Sequence, residues 1–510
     1  MKIAMLVHNP VVGDARVRKE AGSLAAEGFQ VDLFGYGNPI SAPGNIENCK
    51  LTIARKSPAV GQYSKGIKIL KRGIKILERV SARPSILLMA LLMLVGLYLL
   101  QNNVIGLPIF LHLGLAISLS ALALYMQGSM SRAELIVTIF LCIIFFVTGF
   151  LKDNYFLGIF LLSGFLFLAA ILNFTGFRGT TVLNFLQQKY MLPASHEHIA
   201  NQLVQKIDLN KYDVIHAHDI IALIAAVKLK RKKPDLKLVW DAHELYPELN
   251  YRTKSGKRFM HKTIAESSGK IDHFITINDS FVDYYQKNFP KVPSATVLMN
   301  AARRVNLEKN GESPLRATAG ISSSQFVLLF QGGLTFDRGI EILIDAAEKM
   351  PENWSIIFMG DGPLAQRVDD EISKLKGTRP RGQEAISRIP AAPYQELARW
   401  TAGADIGIIP YENVGSNHLY CTPNKLWEFP NADVPILASG MVEISKMIEE
   451  HKTGLLLPRE FTSNDIIKVL ENINRSKLDK LVKNCRKFNE VEHWEKYEKR
   501  LVKLYEEISK

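Results

Sequence analysis

Pro423, Asn424, Lys425 and Glu428 have the types and spacing to hold a phosphorylated ligand. They fall in the stretch Ala404–Glu443, ADIGIIPYENVGSNHLYCTPNKLWEFPNADVPILASGMVE, whose apolar run Ile406–Ile409 predicts a strand that breaks at Pro410. A polar loop follows, and Pro423 then opens an apolar-periodic helix through Leu426, Trp427 and Phe429. Proline suits a first helical turn because its φ is already helical and its missing N–H would have no partner there. The N–H groups of Asn424 and Lys425 then point out of a helix end that carries about half a positive charge and attracts phosphate. Glu428 lies one turn further in, within reach of hydroxyls on whatever the phosphate carries. The chemistry this suits is a diphosphate-sugar site. An ordinary strand–loop–helix corner of an α/β protein fits the same residues.

The elements that must position these groups are short apolar strands alternating with helices. Lys2–Val7 predicts a buried strand, His8–Asp14 its loop, and Ala15–Glu27 a helix with Val17, Ala21, Leu24 and Ala25 as its apolar residues. Gly28 stops that helix, and Val31–Phe34 completes the first βαβ unit of a parallel sheet. The FGYGNPI that follows lacks the third glycine and the helix of a dinucleotide-binding fingerprint. Further strands are expected at Val214–His216, Leu236–Trp240, His273–Ile277 and Thr296–Met299, with a helix at Asp219–Leu229. Beyond a linker at 303–323, a second series runs through Phe326–Phe330, Trp354–Met359, Ile386–Ile389, Ile406–Ile409, Pro435–Ala438 and Gly454–Leu457, with a helix at Ile340–Lys349. Two doubly wound α/β domains in tandem bind ligand in the cleft between them, at the carboxyl ends of the strands. The last helix carries one apolar stripe, Trp494, Tyr497, Leu501, Leu504 and Ile508, that could pack anywhere.

At 510 residues there is room for two or three domains, and 47% apolar with 22% charged residues is close to a soluble average. That average hides a division, because between Pro84 and Phe177 the only charged residues are Arg132, Glu134, Lys152 and Asp153. The net charge of +13 therefore sits on the remainder, and suits an anionic surface, a phosphorylated substrate or nucleic acid. Residues 64–83 predict a basic amphipathic helix, with Ile67, Leu70, Ile74 and Leu77 on one face and seven lysines and arginines around it. Four apolar blocks follow, Ile86–Leu100, Val104–Met126, Leu135–Leu151 and Tyr155–Phe174. Crossing hydrocarbon takes roughly 20 residues, and the basic residues favour an even number of crossings with both flanks on the cytoplasmic side of the cell membrane. The alternative is two shallow re-entrant hairpins. The cysteines, Cys49, Cys142, Cys421 and Cys485, form no CxxC pair, so neither a disulfide framework nor a zinc site is implied. The start MKIAMLVHNP reads as a strand and not as a signal peptide.

Together the strand-end loops HNPVVGDARVRKEA, DVIHAHD, DAHELYPE, QGGLTFDRG, GDGP and TPNKLWEF, with VPILAS after the last, resemble the retaining glycosyltransferases of family 4, which have the GT-B fold. The resemblance covers most of the chain outside 60–205. It implies two tandem Rossmann-like domains: an N-terminal acceptor-side domain at 1–60 and 177–302, and a C-terminal donor-side domain at 324–490. The basic helix (61–83) and a four-helix transmembrane insertion (84–176) interrupt the first, and 491–510 form a closing helix. Gly332, Gly333 and Arg338 would sit under a diphosphate, where glycine lets backbone approach and a guanidinium grips two oxygens. Many relatives have lysine where this chain has Arg338. Lys425 and the N–H groups of Asn424 and Leu426 would stabilise the leaving nucleoside diphosphate, with Gly360, Asp361 and Gly362 also on the donor side. Glu428 resembles the second glutamate of the E-x7-E motif, which holds the donor ribose; the first is replaced by Tyr420, and Asn431–Asp433 replace the usual glycine-containing turn.

On the other side, the resemblance makes His218 the histidine facing the reacting centre, with Gly13, Asp14 and Arg16 lining the acceptor. His243 fits either an acceptor-side or a structural role, and His216 reads as structural. HxH invites a metal reading, but no third ligand stands at suitable spacing, so no metal and no cofactor are expected. No D-x-D pair occurs in the chain. The implied reaction is front-face substitution, in which the departing phosphate takes the proton of the acceptor hydroxyl. The expected partners are a nucleotide-sugar donor, a lipid-linked acceptor on a polyprenyl diphosphate, and membrane lipids; no oligomeric state is implied. A nucleotide-sugar 2-epimerase, or a catalytically silent membrane scaffold of a polysaccharide assembly complex, would share the fold. A nucleic-acid partner ranks last, because the basic residues concentrate beside the apolar blocks.

Overall fold

The computed structural model describes residues 1–38, 45–55, 192–250, 253–305, 313–380 and 382–510. Among the described residues, fourteen strands form two sheets: β1 (Lys2–Leu6), β2 (Gln30–Gly37), β3 (Asn45–Ile46), β4 (Cys49–Arg55), β5 (Val214–His218), β6 (Lys237–Ala242), β7 (His273–Thr276) and β8 (Ala295–Val297) in the first lobe, and β9 (Phe326–Gln331), β10 (Trp354–Met359), β11 (Ile386–Ile389), β12 (Ile406–Ile409), β13 (Ile436–Ser439) and β14 (Gly454–Leu457) in the second. The first sheet runs β3-β4-β2-β1-β5-β6-β7-β8, the second β11-β10-β9-β12-β13-β14. All pairs are parallel except β3 with β4. In both sheets the order reverses beside the first strand of the lobe, at β1/β5 and at β9/β12, the switch point at whose carboxyl strand ends doubly wound sheets take ligands.

Parallel strands covered by helices on both faces read as unbroken apolar runs. That is why KIAML, FVLLFQ and WSIIFM are legible as strands, the first two buried but for their first residue and the third buried throughout. Gly35 and Gly37 belong to β2 and pair with Ile53 and Arg55 of β4, so the G-x-G there is strand and not loop. A Cβ on Gly35 would come 2.7 Å from Asn9 O, which explains glycine in a strand interior. The expected linker contains a helix, Pro314–Ala319, closed by Gly320 in the left-handed region.

The last helix, Trp494–Ile508, crosses back to the first lobe and packs on helix Ala15–Ala26. Trp494 Nε1 donates to Ser23 Oγ at 2.8 Å, Tyr505 packs edge-on to Phe29, and its hydroxyl pairs with His216 Nδ1 at 2.9 Å. One apolar cluster runs from β1 and β5 through this helix to β9, β12 and β13. Both sheets accordingly lie in one compact unit, Met1–Arg55, His196–Arg252 and Lys257–Lys510. Of a second unit, Lys56–Ser195 with Thr253–Gly256, only 192–195 and 253–256 are described.

The basic helix at 61–83 and the transmembrane insertion at 84–176 lie outside the described residues. Among the described residues, no helix is long and apolar enough to cross a membrane. The longest, Arg475–Val491, has 17 residues and exposes Lys477, Lys480, Lys483, Arg486 and Lys487. Because no described helix can serve as a membrane span, the fold class is corrected to two α/β lobes, with neither the transmembrane insertion nor the multi-pass membrane location with cytoplasmic lobes supported.

Candidate functional site

On the second lobe, β9 ends at Gln331 and the chain turns through Gly332 and the exposed Gly333. Gly332 has φ +119°, and a Cβ there would lie 3.0 Å from Lys425 Nζ, so the lysine ammonium rests directly over this turn. Gly360, at the end of β10, packs against the same turn: its φ is +153° and a Cβ would lie 2.0 Å from Gly332 O. Asp361 accepts the Leu334 N–H on its carbonyl and its own neighbour's N–H, from Gly362, on Oδ1 at 2.8 Å. The two glycine loops thus brace one another through backbone, which only residues without Cβ allow.

Helix Lys425–Asn431 has seven residues, with Pro430 inside it. Its first hydrogen bond runs from Leu426 N to Pro423 O at 3.0 Å, so the Leu426 N–H is already committed, a correction to its expected part in holding a phosphate. The Asn424 and Lys425 N–H groups precede that bond, and Asn424 is exposed. Burial lowers the pKa of Lys425, Glu428 opposes that shift and the Arg338 charge adds to it, which places the three groups in one field. Glu428 Oε2 accepts from Gln331 Nε2 at 2.8 Å. Arg338 Nη1 donates to the Tyr411 hydroxyl at 2.9 Å, at the end of β12. The structure therefore brings together Gly332, Gly333, Gly360, Asp361, Gly362, Arg338, Lys425 and Glu428. Tyr420 contributes its carbonyl, which accepts from Asn278 Nδ2 at 2.8 Å.

On the first lobe the register of β5 against β6 sets His218 beside Asp241. His218 Nδ1 lies 3.0 Å from Asp241 Oδ2, the ring is fully buried, and its Nε2 has no hydrogen-bond partner among the described residues. Arg16 grips Asp241 with Nε (2.6 Å) and Nη2 (2.8 Å), and its Nη1 reaches Leu298 O and Asn300 Oδ1. Arg16 is thus a buried strut and its guanidinium does not line an open acceptor surface. Burial would raise the Asp241 pKa, but the Arg16 charge together with the His218 and His243 interactions outweighs it and holds this carboxylate well below the usual range. His243 Nδ1 stands 3.7 Å from Asp241 Oδ2; burial would lower its pKa, and Asp241 raises it to about 9. Asp14 caps helix Ala15–Ala26 through Val17 N and also accepts from Asn9, while Gly13 is exposed in the loop before it.

Four residues were not singled out by sequence. Asp219, just after HAH, adopts φ +73° and binds the His8 ring and backbone, tying the β1 loop to the β5 corner. Gln331, Tyr411 and Asn300 are polar residues at strand ends, a weak signal that only their partners make specific. His216, Glu20, His218 and Asp241 offer ligand atoms within 4.8 Å of one another, so the third and fourth ligands that HxH lacked in sequence do come together. Arg16 Nε, 3.1 Å from Glu20 Oε1 and 2.6 Å from Asp241 Oδ2, already places a positive charge between the two carboxylates.

Residues 175–300 match the family model Glycosyltransferase Family 4, and residues 325–473 match Glycosyl transferases group 1, together more than half of the chain. An uncharacterized glycosyltransferase of Methanocaldococcus jannaschii is 25% identical over 182 residues, 36% of this chain and 48% of that protein. The lipopolysaccharide 1,2-N-acetylglucosaminetransferase of Salmonella typhimurium is 23% identical over 263 residues, 50% of this chain and 66% of that protein. The chain thus spans only part of these relatives, 48% of the one and 66% of the other. Among solved structures, sucrose-phosphate synthase of Thermosynechococcus elongatus shares the fold at TM-score 0.57 and 13% identity, covering 100% of this chain and 99% of that one. Anabaena HepE in complex with UDP and glucose does so at TM-score 0.58 and 12% identity, covering 99% and 100%.

Proposed function

Because the chain belongs to the glycosyltransferases of the GT-B fold, we propose that it transfers a sugar, with retention and without a metal, from a nucleotide-sugar donor to a lipid-linked saccharide acceptor. The observation that carries the donor side is the convergence of Lys425, Arg338 and Glu428 on the Gly332–Gly333 turn at the β9/β12 crevice. Arg338 and Lys425 supply positive charge for a diphosphate, and Glu428, set by Gln331, supplies an acceptor for sugar or ribose hydroxyls. HepE, solved with UDP and with UDP-glucose, supports a uridine donor as the first to test.

In this reading the sugar–phosphate bond lengthens, negative charge grows on the departing diphosphate, and Lys425 and Arg338 stabilise it more in the transition state than in the ground state. The departing phosphate oxygen takes the acceptor proton. His218, locked by Asp241 on Nδ1, keeps Nε2 for a sugar hydroxyl. A lipid-linked acceptor is supported by the name of the Salmonella relative and by the chain's net charge of +13, which suits an anionic carrier.

The test is a donor screen of UDP-, GDP- and ADP-sugars with lipid extracts, reading sugar incorporated and nucleotide released. Transfer that disappears in Glu428→Ala and Arg338→Ala, with folding intact, supports the assignment. Wild-type rates in both variants overturn the site, and label confined to water-soluble products overturns the acceptor.

A further inference from the structure

Asn300 stands where the two halves of the site meet. Its Oδ1 accepts from Arg16 Nη1 at 3.0 Å, and Arg16 in turn holds Asp241, which holds His218. Its Nδ2 donates to Thr422 O at 3.0 Å, on the other lobe. Thr422 is fully buried and precedes Pro423, Asn424 and Lys425 directly. The orientation of this amide is forced, since a guanidinium only donates and a carbonyl only accepts.

Asn278 repeats the arrangement. Its Oδ1 accepts from Phe281 N at 2.9 Å, capping helix Asp279–Asn288, and its Nδ2 donates to Tyr420 O at 2.8 Å. A third bond, from Leu245 N to Asn417 Oδ1 at 2.8 Å, fixes the start of the same segment. With a longer contact from Asn278 Nδ2 to Thr422 Oγ1 at 3.4 Å, four hydrogen bonds from the first lobe therefore hold residues 417–422 of the second. With φ at Pro423 fixed by its ring, a shift at Thr422 carries into Asn424 and Lys425.

We propose that Asn300, assisted by Asn278, is a positioning residue that couples the His218–Asp241–Arg16 cluster to the Lys425 loop, so that the donor groups take their places only when the two lobes are latched. This rests on reading Lys425 and Glu428 as donor-site residues. An aspartate at either position keeps the accepting oxygen, and so the bond to Arg16 or the helix cap, while it loses the donor and turns a carboxylate toward a carbonyl.

The test uses the full chain with Asn300→Asp, Asn278→Asp and the double variant. Amide hydrogen exchange without ligand reads the latch, and steady-state transfer with the donor selected on wild type reads its consequence. The expected result is faster exchange confined to 417–426, turnover reduced about 10- to 100-fold as for a displacement of about 1 Å at the reacting groups, and donor KM changed much less. The double variant is the slowest. Wild-type turnover in both single variants overturns the proposal, and so does lost turnover without faster exchange in 417–426. If Asn300→Asp does not fold, Asn278→Asp decides by the same readouts. If wild type binds none of UDP, GDP and ADP, the proposed function fails, and the exchange pattern alone then supports or overturns the latch.

Discussion

Gln331 Nε2 donates to Glu428 Oε2 at 2.8 Å, while Thr401 Oγ1 lies 2.8 Å from the other end of the same amide. Gln331 is 2% exposed and Thr401 fully buried, so the Glu428 carboxylate is oriented from inside the lobe. Replacing Gln331 by Glu sets two carboxylates against each other, whereas Leu merely removes the bond. We expect donor KM to rise about tenfold in Gln331→Leu and more in Gln331→Glu, on the scale of one charge-assisted hydrogen bond. Steady-state kinetics with circular dichroism as the folding control checks it, and equal effects of Leu and Glu would contradict the orientation.

Arg338 is held by the Tyr411 hydroxyl, with its guanidinium carbon 5.0 Å from that ring's centroid. A lysine keeps charge but not the planar fork. Loss of turnover should therefore follow the order Arg338→Ala, then Arg338→Lys, then Tyr411→Phe, with roughly 100-fold or more for the alanine, as for loss of a group stabilising transition-state charge. An alanine variant as fast as the lysine variant removes the role.

Gly360 has no room for a side chain: the nearest atom to a Cβ is the backbone oxygen of Gly332 at 2.0 Å, and φ is +153°. Gly360→Ala should cost about 2 to 4 kcal/mol, the range of strain plus overpacking at a braced backbone. Urea unfolding measures it, and a cost under about 0.5 kcal/mol, typical of an exposed surface site, would show that the loops do not brace each other.

His243 carries a pH prediction. Asp241 overcomes the effect of burial and raises the histidine to about 9, above its unfolded value of roughly 6.5. Its stabilisation is therefore complete below about pH 6.5 and lost as pH rises through about 9, on the order of 1 to 3 kcal/mol. The difference in unfolding free energy between wild type and His243→Gln should be largest near pH 6 and vanish by about pH 10. Lys19 and Glu20, both moved by burial to about 7, are common to the two proteins. A difference that grows with pH would reverse the sign of the interaction.

What sequence alone determined is local. KIAML, FVLLFQ and WSIIFM announce strands because a parallel strand buried on both faces has no polar side to show. TPNKLWEF and the two glycine loops announce tight turns and a helix start because proline and glycine restrict or free the backbone in a way readable residue by residue. Tertiary structure decided everything that depends on register and on which distant groups become neighbours. Arg16 and Asp241 are 225 residues apart, and nothing in either segment says that β1, β5 and β6 will stand side by side. The same is true of Asn300 with Thr422, and of the last helix, whose apolar stripe was plain but whose place against His216 was not. Apolar periodicity specifies that a face is covered, whereas the identity of the cover follows from how the strands order themselves and leave buried polar atoms to be paired.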